Sequence, residues 1–242
     1  MKAAAFDLAR PADLAEATAL LAQPDSRVLA GGQSLGPMLN FRLVRPSLLV
    51  PIAGIATLTE VRETATDITI GACVTHAAIA DGGVPDIGLN VLARVAEGIA
   101  YRAVRNRGTI GGSLCHADPA ADWLTMLTAL GAEVLTSFSR TLKLPGFVRA
   151  AFQTALQPGE IVVAVRVQKL GAGARWGYVK ACRKPGEFAH AMAAVLLDPA
   201  RGIRRAVLGA TGGAPTVLDG NFGPPPGLPG VVLRRALTEA ES

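Results

Sequence analysis

Residues 30–42, "AGGQSLGPMLNFR", decide how the rest of the chain is read: two glycines and a serine stand directly behind a short apolar run. Two readings are open at this point. The glycines make a tight turn and nothing more, or they form a loop whose bare backbone N–H groups close around an anion. Glycine lacks a Cβ, so its backbone can approach a phosphate closely, and a helix start behind the loop adds its positive end.

A second pair, "TIGGS" at 109–113, follows the basic approach "VRNR" at 104–107. Each pair precedes a segment of helical pattern, and Ser34 and Ser113 stand behind them with hydroxyls to donate. Singly, either pair reads better as a turn; together they predict a diphosphate held from two sides. No G-x-x-x-x-G-K-[ST] occurs, which excludes a P-loop. Gly171, Gly173 and Gly177 of "GAGARWG" superficially resemble a dinucleotide fingerprint, but strand-like "WGYVKA" follows where a helix is required, so this is read as a linker turn.

The chain has 242 residues and is 50% hydrophobic, enough for one large domain or two small ones with a buried core. Its net charge is +5, but Lys and Arg are scattered, and aromatics make up only 5%. That pattern points to an anionic ligand and away from nucleic acid. The longest mainly apolar stretch, "LLVPIAGIATL" at 48–58, is broken by Pro51 and Gly54 and falls short of the roughly 20 residues that cross a bilayer. Asp7 sits where a secretory peptide needs an apolar run, so the expectation is a soluble, cytoplasmic protein without membrane insertion. Cys73, Cys115 and Cys182 are odd in number and lack C-x-x-C spacing, which predicts neither a disulfide framework nor a metal or iron–sulfur site on this chain.

Along the chain, "PADLAEATALLAQP" (11–24) reads as a helix with Pro11 in its first turn. "RVLA" (27–30) and "PSLLVPI" (46–52) read as strands, and "LTEVRET" with "DITIGA" (58–72) as a hairpin. The spacing of Ile87, Val91, Leu92, Val95 and Ile99 predicts a helix over 84–101. A further helix is expected to begin near Pro119, with Asp118 as its N-cap and Asp122 in its first turns, where the dipole favours an acid. "GEIVVAVRV" (159–167) reads as a strand, and the turn-rich seam "KLGAGARWG" (169–177) as a domain boundary. Three strands follow ("WGYVKACR", "HAMAAVLL", "IRRAVLGA"), then the Gly/Pro-rich link 220–230 and a short helix in "VVLRRALTEA". The expected division is 1–168, with subdomains of about 1–55 and 56–168, and 169–242.

"AGGQSLGPMLNFRLVRPSLLVPI", "IGACVTHAAI", "VRNRGTIGGSLCHADPAADW" and "LQPGEIVVAV" together resemble the FAD-binding medium subunit of the molybdenum hydroxylases, the xanthine dehydrogenase and carbon monoxide dehydrogenase group. The resemblance covers about residues 1–212. It implies an α+β fold: a two-part FAD-binding domain of the vanillyl-alcohol-oxidase (PCMH) type, then a smaller C-terminal α/β domain. It also implies that electrons leave a molybdopterin site on a large partner subunit, pass through two [2Fe–2S] clusters on a small one, and reach FAD on this chain before an external acceptor. Position by position, the resemblance makes Ala30, Gly31, Gly32, Gln33, Ser34 and Leu35 the first FAD loop, and Thr109, Ile110, Gly111, Gly112 and Ser113 the second. Asp122 matches the family acid that hydrogen-bonds the cofactor, and Lys180 a basic residue near the isoalloxazine, where a cation stabilises charge developing on reduction.

Plainer readings stand beside these. Asp122 also reads as a dipole-favoured helix residue, Lys180 as a solvated strand residue, His76 and His116 as hydrogen-bonded loop or helix-start residues, and Cys115 as a small buried filler. No constellation of nucleophile, acid or base emerges, so substrate chemistry is expected on a partner chain. The alternatives are a stand-alone flavin oxidoreductase of the same fold and a structural subunit that has lost FAD. The sequence departs from the family in its tail: "TGGAPTVLDG" runs through "NFGPPPGLPG" almost directly into "RRALTEA", which reads as a shortened C-terminal domain.

Overall fold

Parallel strands cannot be joined by a tight hairpin and need a crossover, usually helical. The first fifth or so of the chain follows this rule. In order it forms β1 (Asp7–Leu8), α1 (Leu14–Leu20), β2 (Ser26–Leu29), α2 (Leu35–Asn40) and β3 (Leu48–Pro51), and the strands make a parallel sheet ordered β1-β3-β2. The computed structural model describes residues 2–220 and 222–242; Asn221, in the expected link, lies outside the described residues. Helix α1 begins later than the sequence predicts. Asp13, not Pro11, sets its start: the Asp13 carboxylate accepts the Glu16 N–H at 2.8 Å, while Glu16 reaches back to the Ala12 N–H at 2.7 Å.

The second unit is built on a five-stranded antiparallel sheet ordered β4-β5-β10-β6-β7. Its elements are β4 (Val61–Glu63), β5 (Asp67–Gly71), α3 (His76–Ala80), α4 (Val91–Glu97), α5 (Arg102–Arg105), α6 (Ile110–His116), α7 (Asp122–Leu130), β6 (Glu133–Thr136), β7 (Thr141–Lys143), α8 (Leu144–Phe147), β8 (Val148–Ala150), β9 (Gln153–Thr154) and β10 (Val162–Gln168). β4 and β5 form the expected hairpin, with Val61 opposite Ile70.

Two expected helices are corrected here. The one predicted over 84–101 shrinks to α4, because Leu89 and Asn90 hold left-handed φ values of 59° and 53° and the Asp86 carboxylate accepts the N–H groups of Gly88 and Asn90. Ile87 and Ile99 still pack against the core, but from irregular backbone on either side, so the apolar period outruns the helix. The helix expected from Pro119 is α7, preceded by a separate helix, α6. Ala117, at φ 51°, ends α6, and α7 starts only at Asp122. Asp118 therefore caps a turn, accepting the Ala120 N–H at 2.9 Å, and Ala121 is the helix boundary.

The C-terminal unit is a four-stranded antiparallel sheet of β11 (Arg175–Ala181), β12 (Ala191–Asp198), β13 (Ile203–Gly209) and β14 (Thr216–Asp219) in sequence order, covered on one face by α9 (Leu228–Glu241). β14 falls in the stretch that the sequence reading ran into the link, and α9 takes up the last residues of that link. The other face packs on α7, all nine of whose residues are buried, and one continuous core joins Trp123, Leu127 and Val134 to Ala194 and Val207. The seam at 169–174 is held at several points. Leu170 N–H donates to the Ile87 carbonyl, and the fully buried Asp198 accepts the Gly171 N–H at 2.9 Å while lying 2.7 Å from Arg201 Nε.

Candidate functional site

The two glycine segments meet in space. A Cβ on Gly31 would stand 2.0 Å from the carbonyl oxygen of Arg107, so only glycine admits the approach, and the Cβ position of Gly112 lies 3.7 Å from Ala30 Cβ. Residues 31–35 run from the end of β2 into α2, and none of their backbone N–H groups finds an acceptor among the described residues. Ser34, the residue before α2, makes no side-chain capping bond, while Gln33 Nε2 donates to the Gly31 carbonyl at 3.1 Å. Part-buried donors of this kind call for an anion or water.

The second pair is arranged differently from what the sequence predicts. Gly111 and Gly112 are not in a loop ahead of a helix; they form the first turn of α6, capped by Thr109, whose Oγ1 accepts the Gly112 N–H at 3.1 Å. Ile110 N–H donates to the Val74 carbonyl and Gly111 N–H to the Ala72 carbonyl, and the Ser113 N–H turns back to Thr109. All four donors are therefore committed. A Cβ on Gly111 would stand 2.5 Å from Ala72 Cβ, so the glycines let α6 press against the strand-end segment 72–74. The first pair supplies the donors; the second supplies a close-packed wall, with Ser113 on its partly exposed side.

Beside that wall, Asp122 opens α7 and is 5% exposed. Its carboxylate is engaged by the C-terminal sheet: Tyr178 Oη donates to Oδ1 at 2.8 Å, and Lys180 Nζ lies 3.0 Å from Oδ1 and 3.1 Å from Oδ2. Tyr178 and Lys180 are two apart on β11 and so share a face. Lys180 is no solvated strand residue, because its side chain is only 11% exposed and Nζ also reaches the Gly98 carbonyl at 3.4 Å. Burial pushes the Asp122 carboxyl up from its ordinary range, opposed by the Lys180 charge and by hydrogen bonds from Lys180 and Tyr178. Burial first, and the Asp122 charge second, drive the Tyr178 phenol well above its usual value, so it stays a neutral donor.

Tyr178 was missed in the sequence; its one trace there is the i, i+2 spacing to Lys180. His76 begins α3, as one of its two plain readings has it, and supports the second segment from below. Its backbone N–H donates to the Gly108 carbonyl, and its Nδ1 accepts the Trp123 indole N–H at 3.0 Å. Burial, with a smaller contribution from Arg105, lowers its pKa to about 4, so the imidazole is neutral. His116 ends α6 with its ring tilted against Phe152, and Cys115 is exposed as a residue while burial, with a smaller contribution from Cys73, pushes its thiol up to about 12. No group of three or more His, Cys, Asp or Glu among the described residues is placed to hold a metal, and no helix among them is long and apolar enough to cross a membrane.

Comparison with known proteins places this geometry. Residues 4–169 match the family described as "FAD binding domain in molybdopterin dehydrogenase". Caffeine dehydrogenase subunit beta of Pseudomonas sp. (strain CBB1) is 35% identical over 203 residues, which cover 81% of this chain and 69% of that protein. Among solved structures, quinoline 2-oxidoreductase from Pseudomonas putida 86 matches with a TM-score of 0.83 at 35% identity, covering 90% of this chain and 78% of that one. Reconstituted CO dehydrogenase from Oligotropha carboxidovorans matches with a TM-score of 0.90 at 30% identity, covering 100% of this chain and 99% of its counterpart.

Proposed function

Because the chain belongs to the family of FAD-binding domains of molybdopterin dehydrogenases, we propose that it is the electron-transfer subunit of a heteromeric molybdenum hydroxylase. In this reading it takes electrons from the [2Fe–2S] clusters of a small partner subunit, which receives them from a large molybdopterin-binding subunit, and passes them to an external acceptor in the cytoplasm. Residues 1–168 are the FAD-binding domain and 169–242 its C-terminal companion.

The observation that carries the reading is the run of backbone N–H groups at 31–35 without an acceptor among the described residues, set against the Arg107 backbone by Gly31. A diphosphate needs such a cradle, and the residues present fit one. Ala30, Gly31, Gly32, Gln33, Ser34 and Leu35 would hold it from one side, while Thr109, Ile110, Gly111, Gly112 and Ser113 would form the opposite wall. Asp122 and Lys180 form a buried ion pair beside that wall and would set the local charge. When bound, FAD supplies the capacity to exchange electrons one or two at a time, which no side chain here provides.

The test is the visible spectrum of the protein purified with whatever chains accompany it, followed by release of its cofactor with acid. FAD together with iron–sulfur absorption and two further chains is the expected result. A colourless solitary chain that takes up no added FAD overturns the reading, and substrate-dependent bleaching of the isolated chain's flavin would replace it with a self-sufficient oxidoreductase.

A further inference from the structure

We infer that Tyr178 is a positioning residue for the cofactor site: its hydroxyl, reaching across from the C-terminal sheet, fixes the Asp122 carboxylate in the orientation that binds FAD. The inference rests on the FAD reading above.

A carboxylate offers about four acceptor directions. At Asp122, Oδ1 receives both the Tyr178 hydroxyl and the Lys180 ammonium, while Oδ2 receives Lys180 alone. The hydroxyl thus breaks the symmetry of the group, so that its two oxygens are held by different partners. Tyr178 itself has little freedom to do otherwise. It is part-buried, its backbone N–H donates to Glu239 of α9 at 3.1 Å, and its hydroxyl also contacts the Met192 sulfur at 3.7 Å. Glu239 is in turn paired with Arg94 of α4 at 2.7 Å, so strand β11 is tied to both the C-terminal helix and the FAD-binding unit. A chain lacking the hydroxyl keeps the Asp122–Lys180 pair but lets the carboxylate rotate about it.

FAD is titrated into the cofactor-free full chain, with flavin fluorescence as the signal, for the wild type, Tyr178→Phe, Asp122→Ala and the double variant. Loss of a hydrogen bond to a charged group corresponds to about tenfold in an equilibrium constant, so Tyr178→Phe is expected to weaken FAD about tenfold. With Asp122→Ala already present, the same change is expected to have less than about a twofold effect, because the group it orients is gone. The midpoint potential of the bound flavin is expected to move in Tyr178→Phe, which a packing defect would leave unchanged. Equal losses in both backgrounds, no loss in either, or an unmoved potential overturns the inference while leaving the FAD reading intact. A wild-type chain that takes up no FAD overturns both.

Discussion

The carbonyl oxygen of Arg107 fills the space a side chain at position 31 would need, 2.0 Å from where a Cβ on Gly31 would stand. The atoms in the way are backbone and cannot swing aside, so the end of β2 and the approach to α6 touch only because residue 31 is glycine. Gly31→Ala is expected to cost about 3 kcal/mol through overpacking. It should also abolish FAD uptake, since the 31–35 donors move with the strand end. Urea unfolding and FAD titration of the same variant check both; an unchanged midpoint and unchanged uptake would show that the two segments can part freely.

The Asp122–Lys180 pair gives a different signature. Asp122→Asn leaves a nearly buried ammonium without its counter-charge, and removing one partner of such a pair costs about 3 kcal/mol. Replacing both, as Asp122→Asn with Lys180→Met, is expected to recover most of that loss. Denaturant unfolding of the three variants is the check, and additive losses would contradict a mutual pair.

His76 makes stability depend on pH. Its folded pKa of about 4 lies below the 6.5 of the unfolded chain, so between these values the unfolded state holds the extra proton. Stability is therefore full above pH 6.5 and falls as the pH drops towards 4. Between pH 7 and pH 5 the loss should be about 2 kcal/mol. His76→Gln, which does not titrate there, is expected to lack this component when both proteins are unfolded in urea at the two pH values.

Asp198 anchors the seam by accepting the Gly171 N–H and lying against Arg201 Nε. Asp198→Ala is expected to cost about 3 kcal/mol, because it leaves the Arg201 charge and a buried N–H without their partner. Limited proteolysis should then cut within 169–174. Resistance equal to that of the wild type would mean that the remaining bonds, Leu170 N–H to Ile87 and Lys169 N–H to Thr66 among them, hold the seam without Asp198.

Most strands were legible because alternation and bounding turns are local. The glycine pairs were legible as a pair of special backbone sites for the same reason, but their roles were not. Thr109 caps α6 and draws Gly111 and Gly112 into the helix, whereas Ser34 leaves the first segment's donors open, and each is a glycine pair with a serine within two residues of it. Ile87 kept helical time while Leu89 and Asn90 turned the backbone left-handed, a choice made by the Asp86 carboxylate and invisible to periodicity. Tyr178 and Asp122 lie 56 positions apart, and nothing in either neighbourhood announces the other.

Helix α7 has no side facing water, and part of what covers it is made from β12 and β13, the chain's later strands. During synthesis this apolar helix stays partly bare until Gly209 has left the ribosome. A chain stopped after Gln168 would carry every glycine and donor of the first two units, yet leave uncovered the side of α7 bearing Asp122 and Thr125, which Tyr178 and the end of β13 otherwise meet. The C-terminal sheet therefore completes the burial of α7 as well as bringing Tyr178 and Lys180 to its first residue.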